Sequence, residues 1–581
     1  MALETNAAKH VMNAPETLVS DSIKGLCYAN PHLRLLEEEK VVYYANVDEM
    51  ALNQVTLISG GGSGHEPGYA GLVGEGCLAA NVSGHVFASP SSSQVLAAIE
   101  RVKSPHGTLV IIMNYTGDCL NFALAVERAK TRGIKVDLIA VGDDIAVGKS
   151  KNTKVGRRGM AATTLAIKLA GALASRGATL EQVKEITQYA IDNSATIGVA
   201  LDHCHVPGSS SFSQLGPHEM EIGMGIHNET GFLKANMMPA KELVVKMMNM
   251  LVDQHDSDRS YLNLSSDETQ SVVLLVNNLG GIPMVELNLV VKEAVDYITS
   301  HKLKLERVYV GPFVTSLNMP GFSLSLLVVD HSRNILQLLD QQVHVSGWPL
   351  TAAQSFSDAI HGDNSAAIKS PELVIEEYHG QVIETAIRGA TNSVIAAEPR
   401  ITDYDTILGD GDCGQTLKTA ALAIQEAIPS LDLTSAPKTI LGIADVIEHS
   451  VGGTSSAIYC IFFNALASGL LKYAKPSVDA SVWVLAAKHA LSTLMTYTKA
   501  RVGDRTLMDT LCPFIDTLNE DATNVDQAVQ AAREGTNSTC NLSAKLGRSS
   551  YLSNKEVLES GIPDAGAYGL AEILDGLVAS L

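Results

Sequence analysis

The spacing of hydrophobic residues divides the chain into two parts. Up to about residue 345, short apolar runs alternate with stretches of helical periodicity, such as 161–176. The runs typical of buried strands are 55–58, 108–113 and 135–141, followed in a second block that begins near Ser194 by 272–276, 307–310 and 324–329. Strands that alternate with helices predict an α/β fold, with a mainly parallel sheet in the first block.

Beyond about residue 371 the apolar spacing is helical almost throughout. The predicted helices are 373–397, 413–427, 436–449, 452–471, 480–499, 505–518, 523–534 and 563–580. A run of about eight helices predicts an all-α bundle or barrel. The predicted domains are therefore two α/β subdomains at 1–193 and 194–345, a polar linker of small residues at 346–371, and a helical domain at 372–581.

Composition limits the classes of function. The chain has 581 residues, too many for one hydrophobic core, and 42 basic against 63 acidic residues give a net charge of -21. This charge argues against binding to nucleic acid or anionic membranes and favours a small-molecule enzyme. The eight cysteines form no C-x-x-C pair, and the first residues lack an apolar signal core, so we expect a cytoplasmic protein with reduced thiols.

Three carboxylates lie close together in the segment 405–416. Asp405, Asp410 and Asp412 occur within eight residues, and glycines flank Asp410. Like charges at this spacing need a compensating cation, and oxygen ligands suit Mg²⁺. The helix predicted from Cys413 would point free N–H groups at the same place, which together predicts a metal–nucleotide site. The alternative is that Asp412 is only a helix N-cap, with Gln415 at the third helical position, and that the other two are solvated loop residues.

Other loops of the helical part carry residues that can hold a phosphate or ribose. These Gly-, Ser- and Thr-rich or capping segments are 452–456, 503–506, 547–550 and 563–566. Taken singly, each is better explained as a helix cap. Four of them in the domain that carries the acidic segment favour a nucleotide site.

A glycine-rich loop at 59–68 follows the first predicted strand and contains His65. It lacks the Gly-Lys-Ser/Thr of a phosphate-binding P-loop, so it is interpreted either as a tight turn or as a place where backbone N–H groups approach a ligand. Asp118 follows the strand 108–113, at an edge of the sheet where ligands commonly bind, so it could share a crevice with His65. A local turn explains Asp118 equally well.

His227 lies in a run punctuated by Gly223, Gly225 and Gly231. Those glycines would expose its imidazole to close approach by a ligand. A structural histidine is the alternative, and the residues alone leave both open.

The chain resembles the single-chain, ATP-dependent dihydroxyacetone kinases over nearly its whole length. The segments that carry the resemblance, in the family's order, are GGGSGHEPGYAGLVGEG, NYTGD, GMGIHNETG, NNLGG, GDGDCG, VGGTSS, GDRT, GRSSY and IPDAG. The resemblance implies that His227 adds to the ketone carbon as a hemiaminal, and that Gly62, Ser63 and Gly64 hold the triose. It also implies that His65 and Asp118 are acid/base partners for its terminal hydroxyl.

The same resemblance implies an ATP site in the helical domain. Asp405, Asp410 and Asp412 would hold two Mg²⁺ ions on the phosphates. The residues expected against the nucleotide are Cys413, Gly414, Gln415, Thr416, Thr454, Ser455, Thr506, Leu507, Asp564, Ala565 and Gly566. The family also implies a homodimer in which the helical domain of one subunit faces the substrate domain of the other.

Two positions depart from the family pattern. Met113 stands where a lysine usually precedes NYTGD, and Thr498 stands where a glycine usually precedes GDRT. The expected product is dihydroxyacetone phosphate, with glyceraldehyde as a second candidate substrate. Two alternatives stay open, which are cleavage of FAD to cyclic FMN and AMP in the nucleotide domain, and a triose-binding regulator that has lost catalysis.

Overall fold

The computed structural model divides into two compact units, Met1–Gly362 and Asp363–Leu581. It describes residues 9–150, 156–209, 214–264, 269–349, 356, 380–474, 478–546 and 554–581. Most of the predicted linker and the predicted segment 547–550 therefore lie outside the described residues, as do the first residues of the first predicted helix.

The first sheet has six strands in the order β1-β2-β4-β3-β5-β6. The strands are β1 (Leu33–Leu36), β2 (Val41–Tyr44), β3 (Thr56–Ser63), β4 (Ala80–Val86), β5 (Thr108–Met113) and β6 (Val136–Val141). Strands β4, β3, β5 and β6 run parallel, whereas β1 and β2 form an antiparallel edge. The helices of this block are α1 (Leu18–Ala29), α2 (Val47–Asn53), α3 (Ser92–Val102) and α4 (Thr116–Thr131).

The second sheet also has six strands, in the order β11-β10-β12-β7-β8-β9. They are β7 (Ser194–Ala200), β8 (Glu219–Ile222), β9 (Leu233–Asn236), β10 (Gln270–Asn278), β11 (Leu303–Gly311) and β12 (Gly321–Val328). Only β10 and β11 pair in parallel, so this sheet is mainly antiparallel, unlike the first. Its helices are α7 (Ala240–Val252), α8 (Met284–Ser300) and the short α9 (Ile335–Leu339).

Two helices, α5 (Ala162–Ala174) and α6 (Leu180–Asp192), join the two sheets into one core. Helix α5 is buried along almost its whole surface, which explains why its sequence is apolar all round. Its core cluster includes Leu57 and Ile111 of the first sheet and Val273 and Leu275 of the second. The shared core fixes the loops of both sheets relative to one another within this unit.

The second unit is a ring of helices. They are α10 (Gly380–Leu408), α11 (Cys413–Ala427), α12 (Ala436–Ser450), α13 (Gly453–Tyr473), α14 (Ala480–Tyr497), α15 (Met508–Glu520), α16 (Val525–Ser538), the short α17 (Asn554–Ser560) and α18 (Ala565–Val578). Each long helix packs on the next, and α18 closes the ring on α10. The ring encloses an apolar cavity of about 510 Å³. The predicted fold class, two α/β subdomains followed by an all-α barrel, is confirmed.

Helix α13 is the one described helix that is long and apolar enough to cross a membrane. Its residues Ser455, Tyr459, Phe462 and Phe463 line the cavity of the ring. These side chains of the helix therefore face the interior of the barrel.

The first helix of the ring is longer than predicted. The pattern predicted its end at residue 397, but α10 continues through Pro399 to Leu408. Proline removes one backbone donor, and the packing of α10 against α18 and α11 compensates for that loss. As a result Asp405 lies on the last turn of a helix rather than in a loop.

Candidate functional site

His65 and His227 meet although they are 162 positions apart in the chain: the Nε2 atoms of the two rings are 3.0 Å apart. His65 lies just beyond β3, and His227 lies in the loop after β8. The Nδ1 of His65 is 2.7 Å from the carbonyl oxygen of Thr315, and the Nδ1 of His227 is 2.9 Å from Oε1 of Glu229. Four groups thus form one row of hydrogen bonds.

The chemistry of this row determines where its hydrogens lie. The carbonyl of Thr315 can only accept, and so can an ionised carboxylate, so Nδ1 of each ring carries a hydrogen. The two Nε2 atoms then face each other with lone pairs, and a hydrogen bond between them requires one shared proton. Burial, followed by the neighbouring His227, lowers the pKa of His65 to about 3, so His65 holds a proton at this position only weakly.

Glu229 is the anionic end of the row. Its Oε2 accepts the backbone N–H of His227 at 2.9 Å, while its Oε1 accepts from the ring. Burial by itself would raise the pKa of Glu229, but the hydrogen bonds and charge of His227 outweigh it and lower the pKa to about 2. The sequence reasoning missed this residue; its place two positions after His227 was the only available signal.

Aromatic rings enclose the imidazole of His227. Phe87 stacks on His65 with ring centroids 5.1 Å apart and meets His227 edge-on at 4.9 Å. Tyr115 meets His227 edge-on at 4.8 Å, and its hydroxyl donates to the carbonyl of Gly159. The rings restrict the orientation of His227, and neither was predicted, because nothing in the local sequence links them to it.

The predicted substrate loop ends β3. The Ser63 hydroxyl donates to the carbonyl of Gly84 at 2.9 Å, and the Gly64 N–H donates to the carboxylate of Glu66 at 3.0 Å. Gly62 is half-buried at the end of the same strand. The Ser63 hydroxyl is therefore paired with β4 and the Gly64 N–H with a residue of its own loop, which also contains His65.

Asp118 lies in the first turn of α4 and is 7% exposed. Burial raises its pKa, and the nearby His227 opposes that increase. Its Oδ1 is buried and has no hydrogen-bond partner among the residues that the structure describes. Such an oxygen is suited to accept a proton or hydrogen bond from a bound hydroxyl group.

Met113, the last residue of β5, is 4% exposed and packs in the core cluster that contains Ile111 and α5. Its Cβ and Cγ lie against Gly159. The side chain at this position therefore points into the core beneath the loop rather than into open space beside His227.

In the helical unit, Asp405, Asp410 and Asp412 come together. One carboxylate oxygen from each lies within 4.8 Å of the others, and Asp410 and Asp412 are exposed. Oxygens on opposite sides of one Mg²⁺ are about 4 Å apart, so this spacing fits a bound ion after a small adjustment. It is the one cluster of metal-ligating side chains found in the part of the chain that the structure describes.

The acidic cluster lies at the start of α11. Asp405 Oδ2 accepts the N–H of Cys413 at 3.0 Å, and burial together with the surrounding aspartates raises the pKa of the Cys413 thiol to about 12. Gln415 donates to Glu398 at 2.8 Å. Gly414 packs where α10 and α11 touch, since a Cβ there would lie 2.6 Å from the carbonyl oxygen of Glu398.

Asp564, at the start of the last helix of the ring, lies close enough to the acidic cluster to interact with Asp405. It caps α18 by accepting the N–H of Ala567 at 2.9 Å, and burial raises its pKa to about 6. Asp405 contributes to that increase, and the buried Arg505, whose Nη1 lies 3.8 Å from Asp564, opposes it. Ala565 and Gly566 form the first turn of α18 beside this carboxylate.

The other predicted nucleotide residues lie at helix starts around the ring. Thr454 and Ser455 are in the first turn of α13, and Leu507 is the N-cap of α15. The N–H of Thr506 donates to Asp509 at 2.8 Å. Of the predicted nucleotide residues, Thr416, Ser455 and Leu507 border the barrel cavity.

Thr498, the second departure, caps the end of α14 and is half-buried. Its hydroxyl accepts the N–H of Ala500 at 3.1 Å, so it stabilises the turn that leads to the segment 503–506.

Comparison with known proteins gives matches along the whole chain. A Dak1 domain matches residues 24–347 and a DAK2 domain matches residues 407–579. The chain is 42% identical to "Dihydroxyacetone kinase 2" of Saccharomyces cerevisiae (97% of this chain, 98% of the relative) and 35% identical to "Triokinase/FMN cyclase" of Bos taurus (99% of each). The crystal structure of the C. freundii dihydroxyacetone kinase in complex with AMP-PNP and Mg²⁺ matches with a TM-score of 0.68 at 32% identity, over 99% of this chain and 100% of that one.

Both domain models match in the expected order, and the similarity to these relatives extends over both units. The chain therefore belongs to the dihydroxyacetone kinase family.

Proposed function

We propose that this protein is an ATP-dependent kinase that converts dihydroxyacetone to dihydroxyacetone phosphate, with glyceraldehyde as a second substrate. The observation that carries the proposal is the cluster of three carboxylates at the start of α11, in a chain whose full-length relatives are named dihydroxyacetone kinases. A solved relative was crystallised with AMP-PNP and Mg²⁺, which supports ATP and Mg²⁺ as the co-substrate and the metal.

Asp405, Asp410 and Asp412 would hold the metal. Mg²⁺ bound there neutralises the charge that spreads over the phosphate oxygens during transfer. Because Asp405 also accepts the N–H of Cys413, the metal ligand is tied to the start of α11. The remaining N–H groups of that helix end would then be able to bind the same phosphates.

His227 would hold the substrate as a covalent hemiaminal. Its Nε2 forms a bond to the carbonyl carbon, the carbonyl π bond breaks, and the oxygen takes the proton that the Nε2 atoms of His227 and His65 share. The proton passes from the row to the substrate oxygen, and the positive charge stays in the site on the alkylated ring of His227. Only a carbonyl compound forms this bond, so glycerol is rejected.

Asp118 would activate the terminal hydroxyl of the bound ketone. Its buried oxygen and raised pKa support a role as the acceptor of the hydroxyl proton when that oxygen attacks the γ-phosphate. Gly62, Ser63 and Gly64 would border the substrate on the side of His65. Phosphoryl transfer then depends mainly on positioning and charge neutralisation.

The proposal is tested with His227→Ala in the full-length protein. We expect the wild type to gain the mass of one ketone on His227 and to form the sugar phosphate with Mg-ATP, and the variant to do neither. A variant that phosphorylates dihydroxyacetone at the wild-type rate would refute the covalent role. Wild-type protein that binds the ketone but forms no product would instead indicate a regulator without catalysis.

A second candidate activity is cleavage of FAD to AMP and cyclic FMN. It is favoured by the full-length relative named Triokinase/FMN cyclase. This reaction would use the metal–nucleotide site alone, so we expect any lyase activity to survive His227→Ala and to disappear in Asp410→Asn. Loss of lyase activity in the His227 variant would contradict this assignment.

The two sites lie on different units, so phosphoryl transfer requires a nucleotide site to meet a substrate site. We propose a homodimer in which the helical unit of one subunit serves the substrate unit of the other. Light scattering would give the mass of the assembly, and mixing inactive variants of the two sites would show whether the sites of different subunits meet.

A further inference from the structure

The structure contains a charged group beside the proposed nucleophile that the reaction described so far does not use. We propose that Glu229 is a positioning residue that holds His227 in the tautomer whose Nε2 is free to attack, and balances the charge that the ring gains in the adduct. The part of this proposal that concerns the adduct rests on the proposed function, whereas the part that concerns the tautomer does not.

Both oxygens of Glu229 are committed to His227. Oε1 accepts from the ring Nδ1 and Oε2 accepts from the backbone N–H, each at 2.9 Å. Asn228, the residue between His227 and Glu229, has a positive φ of 62°, which allows the chain to turn tightly enough for these two contacts. The side-chain amide of Asn228 accepts a hydrogen bond from the N–H of Cys204 and donates one to its carbonyl. The carboxylate is therefore held in place independently of the imidazole.

A buried ion pair lies behind the carboxylate. Arg158 donates from Nε to Asp144 at 2.7 Å and from Nη2 to the carbonyl of Gly223 at 2.7 Å. Its Nη1 and Oε2 of Glu229 border the same space, the space that a side chain at Gly225 would fill. Glycine at position 225 thus allows the guanidinium to face Glu229 without a barrier between them.

The carboxylate selects the tautomer. Because it can only accept, the hydrogen of a neutral His227 lies on Nδ1 and the lone pair lies on Nε2, the atom that faces His65. An imidazole with the opposite tautomer would present N–H to the substrate carbon and could not form the bond. A comparable loss of tautomer control in serine proteases lowers kcat by about 10⁴-fold.

The carboxylate of Glu229 also balances the positive charge of the adduct. When Nε2 bonds to carbon and Nδ1 keeps its hydrogen, the ring becomes cationic. Glu229 lies 2.9 Å from that Nδ1 and supplies the opposite charge. The other titratable or charged groups around His227 are His65, Tyr115, Asp118 and Arg158, with Asp144 behind Arg158. None of these other described groups is hydrogen-bonded to Nδ1, which is paired with Glu229.

The variant Glu229→Gln isolates these roles. Its amide oxygen can still accept the backbone N–H of His227, but its NH₂ group would then point at Nδ1 and require a lone pair there. The variant therefore keeps the loop contact while it reverses the tautomer. Glu219→Gln is the matched control, because Glu219 is an exposed glutamate of β8 that accepts the N–H of Gly216 and contacts no imidazole.

The first measurement is ¹⁵N NMR of the full-length protein with labelled histidine, with the His227 signals assigned from a His227→Gln sample. At alkaline pH and without substrate, we expect Nδ1 of His227 to be protonated in the wild type and the Glu219 control, and unprotonated in Glu229→Gln. Wild-type protein with the hydrogen on Nε2 would overturn the proposal. This result needs neither a folded Glu229 variant nor any catalytic activity.

The second measurement is kinetic. We expect Glu229→Gln to lose about 10²-fold to 10⁴-fold in kcat/KM for the ketone and to lose the covalent adduct, with an unchanged KM for ATP. A Glu229 variant that keeps wild-type adduct formation would refute the positioning role. If the wild type forms no adduct at all but shows the expected tautomer, the covalent step of the proposed function fails and the tautomer assignment stands.

Discussion

We expect removal of one carboxylate from the acidic cluster to stabilise the metal-free protein and to weaken its stabilisation by Mg²⁺. Asp410 is the suitable position, because it is exposed and lies in the loop between α10 and α11, whereas Asp405 also holds the N–H of Cys413. Asp410→Asn keeps the size of the side chain and removes its charge. Asp403→Asn is the control, since Asp403 is an exposed residue of the same helix α10 and lies outside the cluster.

The size of the effect follows from the separation of the charges. Two unit charges 4.8 Å apart repel by about 1 kcal/mol in water and by about 3.5 kcal/mol at an effective dielectric constant of about 20. Exposure places this cluster near the lower value. Neutralising Asp410 removes two such pairs, so the metal-free variant should gain about 1–2 kcal/mol in the free energy of unfolding. For a domain of this size the gain raises Tm by about 2–8 °C.

With Mg²⁺ present, we expect the wild type to gain more stability than the Asp410 variant. A ligand present at about 100 times its Kd stabilises the folded state by about 2.7 kcal/mol, and the variant would lose one of the three proposed oxygen ligands. Calorimetry of wild type, Asp410→Asn and Asp403→Asn, with EDTA and with Mg²⁺, measures both terms. We expect the metal to raise the Tm of the wild type and of the Asp403 variant but to raise that of the Asp410 variant little.

A metal-free Asp410→Asn less stable than the wild type, or an equal stabilisation of variant and wild type by Mg²⁺, would contradict a metal site at Asp410. We also expect this variant to lose metal-dependent ATP turnover while it still binds the ketone. Full turnover would show that the cluster is not the metal site.

Three further predictions concern other parts of the chain. Lys168 is fully buried, and burial lowers its pKa to about 8. Its charge therefore destabilises the fold below that pH, and the free energy of unfolding should rise as the pH increases from about 8 to about 10.5. We expect Lys168→Met to increase the free energy of unfolding by about 2 kcal/mol at neutral pH, after allowance for the lost hydrogen bond to the carbonyl of Leu338. Denaturant unfolding should show that this gain disappears near about pH 10. Mixing inactive His227→Ala with inactive Asp410→Asn should restore part of the kinase activity if the sites meet across subunits, and no recovery after subunit exchange would contradict the proposed homodimer. Gly414→Ala should lower the free energy of unfolding by about 1–3 kcal/mol, because its methyl group would enter the contact between α10 and α11, and an unchanged Tm would contradict that packing role.

Local pattern was sufficient for most of the elements. The strand 108–113 is β5 as predicted, and the helix 413–427 is α11 as predicted, because each has a periodicity that only one type of element can bury. The short edge strands β1 and β9 were missed, since four residues carry too little periodic signal. The end of α10 was placed too early because proline ends most helices, whereas here tertiary packing continues the helix.

The candidate site shows the same division. His65, Asp118, His227 and the three aspartates were named from sequence, because glycine-rich loops and clustered carboxylates are local features. Glu229, Phe87 and Tyr115 were not, because their role depends on which side chains meet. The sequence showed that Met113 replaces the family's usual lysine, but only the packing of β5 showed that its side chain lies in the core.

The sequence by itself determined the alternation of strands and helices, the ring-forming helices and the acidic segment, because these follow from interactions between residues near each other in the chain. Only the tertiary structure decided that two histidines 162 positions apart face each other through Nε2, with a carboxylate and a carbonyl at the outer ends. Hydrogen bonds depend on distances of a few tenths of an ångström and on direction, and those are set by the packing of two sheets on one buried helix.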